Sequence, residues 1–332
     1  MRFLTLSCVA LLTACVVGCG GKPDQSAASP AKIKIGFVVK NPEQEWFQNE
    51  HKFAQQAADK DGFDLLFIGA PTDELVKSAI DTLGAQGAQG MIICTPDVRL
   101  GTMIMNQANR YNMKVFSVDD QFVNGDGKYM DEHHMGISAE EIGKSVGNAL
   151  SDEMKKRGWK VEETGACVAS LDELDTARQR MTGVTEALTA AGFPAERIFK
   201  SHQASPDFAG GRDAANIVLT QHSDIKHWLT AGMNDETVLG EVRAMENRGF
   251  NTDTIIGIGI GADAGRADFE KPQPTGFFAS VLISPKRHGY ETADYMYHWI
   301  KDGAEPPKVT YTTGILVHRD DYKTVRQQQG LD

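Results

Sequence analysis

At 332 residues the chain has room for about two domains with sizeable cores. Its 41% hydrophobic and 24% charged residues are ordinary for a globular protein, and a formal net charge of −11 argues against nucleic acid as a partner and against adsorption to anionic lipid. The N-terminus is a targeting segment. Met1 and Arg2 form a short positive region, and 3–17 is apolar but too short to span a bilayer. The run Val16-Val17-Gly18-Cys19-Gly20-Gly21 fits a lipoprotein cleavage box with Cys19 as the lipidated residue, although Leu12-Thr13-Ala14-Cys15 fits it too. We assign 1–19 to the leader and 20–32, rich in Gly, Ser, Ala and Pro, to a flexible tether.

From there short apolar runs alternate with helical patterns, which predicts parallel sheets with crossover helices. A strand over 33–39 leads to a helix over 44–60, a strand over 63–68 to a helix over 72–86, and a strand over 91–94 to a helix over 100–111. A strand over 114–118 ends at Asp119-Asp120, and a polar loop carries Gly125-Asp126-Gly127 into a helix over 139–157. The rhythm repeats with strands over 166–170, 198–202, 227–231, 254–260, 275–282 and 308–316. Helices are predicted over 173–191, 207–221, 235–247 and 285–301, with a last one from 320. The fold class is therefore α/β, two doubly wound parallel-sheet domains in tandem. Cys94 and Cys167 fall in or at the ends of buried strands and read as unpaired core thiols.

Chemistry gathers at the carboxyl ends of the strands, where open α/β sheets place ligands. The first strand stops at Lys40, Asn41-Pro42 forces a turn, and the next helix carries Trp46 and Phe47 in its first turn. An indole face can stack on the apolar face of a sugar while charged groups hold its hydroxyls. Other strands end at Asp119-Asp120, Asn234-Asp235 and Gly261-Ala262-Asp263. Arg180 shares the apolar face of its helix with Ala177 and Val184, and a guanidinium there wants a bidentate acceptor. Gly257-Ile258-Gly259-Ile260-Gly261-Ala262 loosely fits a dinucleotide pattern, but 275–282 lacks the acidic ribose partner, which weighs against an NAD-dependent enzyme. Glu132-His133-His134 lacks the spacing of a metal site and reads as a solvated loop. A transcriptional regulator of similar fold would need a DNA-binding headpiece where this chain has a leader.

Several stretches together carry a resemblance: Ile92-Ile93-Cys94-Thr95-Pro96-Asp97, Val118-Asp119-Asp120-Gln121-Phe122-Val123-Asn124, Glu173-Leu174-Asp175-Thr176-Ala177-Arg178, Lys226-His227-Trp228-Leu229, Gly232-Met233-Asn234-Asp235 and Thr254-Ile255-Ile256-Gly257-Ile258-Gly259-Ile260. Over 32–331 the chain resembles the L-arabinose-binding family of class I periplasmic sugar-binding components of ABC importers. The resemblance implies the periplasmic binding protein-like I fold with a multi-strand hinge. It also implies lobes over 33–138 plus 284–314 and over 139–283 plus 315–332. Lys40 and Asp120 would take sugar hydroxyls from one lobe, Asp120 near the anomeric one, and Arg180 and Asn234 from the other. Trp46, Phe47, Cys94, Leu174, Thr176 and Met233 would line or border the pocket, with Asp119 beside Asp120. Three positions depart from the family. Gln44 replaces a glutamate, and Ser138 replaces a methionine. Gly261 stands where an asparagine is expected, unless a local shift brings Asp263 there.

The expected function is capture of a monosaccharide, an aldopentose such as L-arabinose or a related aldohexose, by hinge closure near 138–140, 283–285 and 314–317. Delivery would be to an ABC permease in the membrane. A sugar-sensing receptor for chemotaxis or a histidine kinase would share the same site. The reading calls for no covalent chemistry, cofactor, metal or nucleic acid. It places a monomeric receptor in the periplasm or at the cell surface, held to the membrane by its lipid anchor.

Overall fold

Among the residues described by the computed structural model, 32–331, the strands sort into two six-stranded sheets. The first contains β1 (Lys34–Val39), β2 (Asp64–Gly69), β3 (Gly90–Cys94), β4 (Lys114–Asp119), β5 (His133–Ile137) and β11 (Val309–Thr312) in the order β11-β5-β4-β3-β1-β2. The second contains β6 (Thr164–Ser170), β7 (Ile198–His202), β8 (His227–Ala231), β9 (Ile255–Ile260), β10 (Phe277–Ile283) and β12 (Gly314–His318) in the order β12-β10-β9-β8-β6-β7. All neighbours are parallel except β10 and β12. The predicted pair of doubly wound sheets is what forms. The expected leader with Cys15 and Cys19, and the expected tether up to residue 31, lie outside the described residues.

Burial follows from the sequence. β3 and β9 read GMIIC and IIGIGI and are buried on both faces, as central parallel strands must be. Cores such as Ile35, Phe37, Ile92 and Phe116 against Phe47 and Met296 cover one face of the first sheet, each large side chain contributing about 1.5–3 kcal/mol. Cys94 and Cys167 are buried free thiols. No described helix is long and apolar enough to cross a membrane.

The sequence reading missed β5. Its His133 and His134 are not solvated but almost fully buried. His133 contacts the Trp299 ring at 4.5 Å, and its Nε2 lies 2.9 Å from Glu305. His134 Nδ1 lies 2.8 Å from Ser117 Oγ, which also donates to Glu132 Oε1 at 3.0 Å. Polar strand residues satisfied by partners far along the chain leave no periodic signal. The single strand expected over 308–316 is two strands in different sheets, because the chain passes from one sheet to the other at Thr313. The helix expected over 285–301 opens with a π-helical turn, Arg287–Glu291, before the α-helix Thr292–Lys301.

Two close backbone approaches set the site. The helix Ala139–Lys156 crosses the helix Asp175–Ala190 so tightly that a Cβ on Gly143 would lie 1.9 Å from the Arg180 carbonyl oxygen. A Cβ on Gly289 in the π-helical turn would lie 2.1 Å from the Glu50 carbonyl oxygen on the helix Glu45–Asp61.

Candidate functional site

The strand ends of both sheets face one another across a cavity of about 380 Å³. Of the candidate residues, Lys40, Gln44, Trp46, Phe47, Asp119 and Asp120 line it from the first sheet's side. Thr176, Arg180, Met233, Asn234, Gly261 and Asp263 line it from the second. Ser138 and Leu174 lie instead on an adjoining, more open cavity of about 910 Å³ that shares Lys40, Asp119, Asp120 and Thr176. Cys94 lines neither; it is buried with Sγ 3.8 Å from Asp120 Oδ2. The sequence reading singled out Asp235 as a strand-end carboxylate without placing it among the site residues and missed Glu45, Glu236, Ile137, Ile260, Ala264 and Ile283, all of which also line the smaller cavity. Asp235 and Glu236 directly follow Asn234, so the first turn of one helix supplied that signal.

Lys40 reaches over from the end of β1, and its Nζ donates to Asp120 Oδ2 at 2.6 Å. The Cys94 thiol once ionised, and the carboxylates of Asp120 and Asp119, hold the Lys40 ammonium above the usual lysine range against the cost of burial. Burial raises the Cys94 thiol well above its ordinary value, so at neutral pH the carboxylates alone provide the charge.

Asp119 closes β4 with φ of 66°, a left-handed conformation that side chains other than glycine adopt rarely and that concentrates at functional sites. Its carboxylate is held on two sides. Trp46 Nε1 donates to Oδ2 at 3.2 Å, and His288 Nδ1 lies 2.7 Å from Oδ1. Burial opposes ionisation of Asp119. The hydrogen bond and charge of His288, the Lys40 charge and the Trp46 N–H nonetheless hold its carboxyl below the usual range. The Trp46 ring lies edge-on to the His288 ring at 5.3 Å and packs against the cores of both lobes. An amphipathic aromatic in this position offers a flat apolar face to the cavity.

From the opposite side Arg180 donates to the Met233 carbonyl oxygen, while its Nε is buried without an acceptor. Burial pushes the guanidinium down to about 10, partly offset by Asp120 and Asp119, so it stays charged at neutral pH. Asn234 caps the helix Asp235–Glu246. Its Oδ1 accepts from Thr237 N at 2.9 Å, and its Nδ2 donates to Pro206 O at 2.8 Å, which leaves one amide hydrogen for the cavity. Gly261, with φ of 125°, contributes backbone only. Asp263 contributes a carboxylate, with Oδ1 2.6 Å from Nη1 of the fully buried Arg326. Asp235 beneath them accepts from Ser280 Oγ at 2.6 Å and Gly265 N at 3.0 Å, and burial raises it to about 6.

Polar contacts cross between the lobes beside the cavity. Tyr129 Oη donates to Asp175 Oδ2 at 3.0 Å, and Glu45 Oε1 lies 3.4 Å from Arg266 Nη2 and 3.8 Å from Arg326 Nη2. Charged donors, acceptors and an aromatic face converge on a space sized for a small polar molecule, an arrangement suited to holding a polyol.

Comparison with known proteins points the same way. The family described as periplasmic binding proteins and sugar-binding domain of the LacI family matches residues 32–320. The L-arabinose-binding periplasmic protein of Escherichia coli K12 is 46% identical over 317 residues, covering 95% of this chain and 96% of that protein. An ABC transporter L-arabinose-binding periplasmic protein of Azospirillum brasilense is 46% identical over 308 residues, 92% of each chain. A crystal structure titled as a periplasmic ribose ABC transporter from Conexibacter woesei superposes with a TM-score of 0.74 at 18% identity, covering 91% of this chain and 97% of that one. At that identity the match speaks to the fold alone.

Proposed function

This chain belongs to the family of periplasmic binding proteins and LacI-type sugar-binding domains. From that premise we propose that it is an extracytoplasmic receptor that captures a monosaccharide, L-arabinose first among the candidates, and delivers it unaltered to an ABC importer. The observation that carries this reading is the convergence of Lys40, Trp46, Asp120, Arg180 and Asn234 from two lobes on one cavity. Relatives named for L-arabinose at 46% identity favour that pentose over other small polyols.

The proposed mechanism is closure without covalent chemistry. The lobes part without ligand and close when sugar bridges them, with the chain passing between sheets after Ile137, after Ile283 and at Thr313. The Trp46 face takes the apolar side of the ring. Lys40, Asp120, Arg180 and the remaining Asn234 hydrogen take hydroxyls, and excluding water strengthens each charge-assisted bond. Tyr129–Asp175 and Glu45–Arg266 link the lobes once they have closed. In this proposal Cys19 carries the lipid that keeps a monomeric receptor near its permease.

The test is calorimetric titration of residues 20–332 with L-arabinose, D-galactose, D-fucose, D-xylose and D-ribose, with solution scattering before and after sugar. Binding of L-arabinose at about micromolar Kd, equivalent to about 8 kcal/mol, with a smaller radius of gyration is the expected result. Heats indistinguishable from dilution for all five sugars refute it.

A further inference from the structure

Behind the cavity wall lies a polar cluster that the sugar contacts do not require. Glu50 on the helix Glu45–Asp61 is fully buried, and neither of its carboxyl oxygens meets a hydrogen-bond donor. It sits with the Asp119 carboxylate and the fully buried His288, whose Nδ1 is 3.7 Å from Glu50 Oε1; one polar atom of each lies within 4.8 Å of the others. Lys40 and the Cys94 thiol approach the same cluster from the ends of β1 and β3. His134 on β5 and Arg180 from the second lobe act on Asp119 from further out. A buried carboxylate with no donor beside a second carboxylate is untenable as an ion, and the two relieve the repulsion by sharing a proton. Asp119, already held by His288, Lys40 and Trp46, is the partner that stays ionised, so the proton belongs to Glu50.

We propose that Glu50 and His288 are positioning residues for the sugar site: a protonated Glu50 and His288 clamp the Asp119 carboxylate, and Asp119 fixes the Trp46 ring on which the sugar rests. This rests on the sugar-receptor reading above. The clamp explains why Asp119 tolerates its left-handed backbone, since three partners over-determine its position. It also explains Gly289, because only a residue without Cβ lets the His288 turn come down on Glu50. Through Nε2, 2.8 Å from Thr312 Oγ1, His288 ties the clamp to the residue before the Thr313 passage. Burial and then Asp119 raise Glu50 well above its usual value of 4.5, consistent with the proton assigned on geometry.

The test compares wild type with Glu50→Gln and His288→Ala by sugar calorimetry, by the near-ultraviolet circular dichroism of the sugar-free protein, and by melting from pH 5 to 8. Glu50→Gln keeps a neutral donor on the same atoms. It is expected to preserve the Trp46 band and to bind within about twofold of wild type at pH 7. A group whose folded pKa is raised contributes most below its unfolded value and loses that contribution as pH rises. The melting advantage of Glu50→Gln over wild type should therefore grow from pH 5 to 8. His288→Ala is expected to lose the Trp46 band and to weaken sugar binding at least about tenfold, the value of one charge-assisted hydrogen bond. If it does not fold, Thr312→Val, which removes the Nε2 partner along with the long 3.4 Å bond from Thr312 Oγ1 to Gly136 O, serves in its place with an expected loss of about threefold. A tenfold loss in Glu50→Gln at pH 7, a melting difference that stays flat with pH, or a His288 or Thr312 variant with unchanged band and affinity each overturns the proposal. A wild type that binds no sugar at any pH refutes the receptor reading instead. The band and the melting profile, both read without ligand, then still decide whether the clamp exists.

Discussion

Replacing Arg180 with methionine should separate affinity from stability, because the same burial that makes the guanidinium useful makes it expensive to hold. Burial lowers its pKa from the ordinary arginine range to about 10, which at about 1.4 kcal/mol per unit bounds the cost of keeping the charge there at about 3 kcal/mol. The side chain keeps some exposure to the cleft, and screening reduces that figure to about 1–2 kcal/mol. Methionine fills the space of the aliphatic stem but leaves the Met233 carbonyl oxygen without its donor, a loss of about 1 kcal/mol. The sugar-free variant should therefore be as stable as wild type or up to about 1 kcal/mol more stable. Binding loses one or two charge-assisted hydrogen bonds to the sugar, about 3 kcal/mol or about a hundredfold in Kd. Urea melts without ligand give the first quantity and calorimetry with the best wild-type sugar the second. A Kd within threefold of wild type, or destabilisation by more than about 2 kcal/mol, refutes the assignment of Arg180 as a ligand group built at the expense of the fold.

Trp46→Ala removes the aromatic face and should weaken binding at least about tenfold, about 1–2 kcal/mol, while abolishing the sugar-induced change in tryptophan fluorescence. Gly143→Ala drives a methyl against the Arg180 carbonyl oxygen; urea melts should show a loss of about 1–3 kcal/mol, with weaker sugar binding because the helix carrying Arg180 is displaced. Burial lowers His134 from 6.5 to about 4, so its neutral form contributes stability above pH 6.5 that is lost as pH falls toward 4. His134→Asn should remove up to about 3 kcal/mol of that acid sensitivity, read as a flatter melting profile between pH 7 and 4. Tyr129→Phe deletes a contact between the lobes at the cleft mouth and should raise Kd about two- to threefold, mainly through faster sugar release in stopped-flow.

Patterns that repeat locally were legible in the sequence, and patterns completed by distant partners were not. Apolar runs such as IIGIGI and the helices after them fixed both sheets, and the polar residues ending those runs, Lys40, Asp120, Asn234 and Asp263, do face one cavity. β5 escaped because its histidines find acceptors on Ser117 and Glu305, 17 and 172 residues away in sequence. Nothing in the local helical pattern around Glu50 marks it as buried. Only the descent of the His288 turn onto that helix, possible because residue 289 is glycine, seals it from water. The break at Thr313 is invisible to periodicity because β11 and β12 are both extended and differ only in which sheet they join.

Each ligand-facing group is anchored to the protein through at least one of its polar atoms, and this bears on selectivity. Asp120 uses Oδ2 for Lys40, Asp119 both oxygens for Trp46 and His288, Asn234 its oxygen for a helix end, and Asp263 Oδ1 for Arg326. Side chains held this way lose little rotamer freedom on binding, so a sugar meets a preformed set of donors and acceptors and gains affinity from the ordering already done. The same anchoring makes the set unforgiving. A hydroxyl with inverted configuration cannot draw a partner after it, and each buried group left unpaired costs about 1–3 kcal/mol. Selectivity then depends on the donor and acceptor character of the positions that depart from the family pattern. Gln44 can donate as well as accept, Gly261 offers no side chain, and Asp263 only accepts. On the sugar-receptor proposal, a matched ligand directs a hydroxyl proton at Asp263 and can turn an oxygen toward Gln44. Substituting Asp263 with Asn or Gln44 with Glu should reorder the five sugars in the titration series, rather than weaken them all alike.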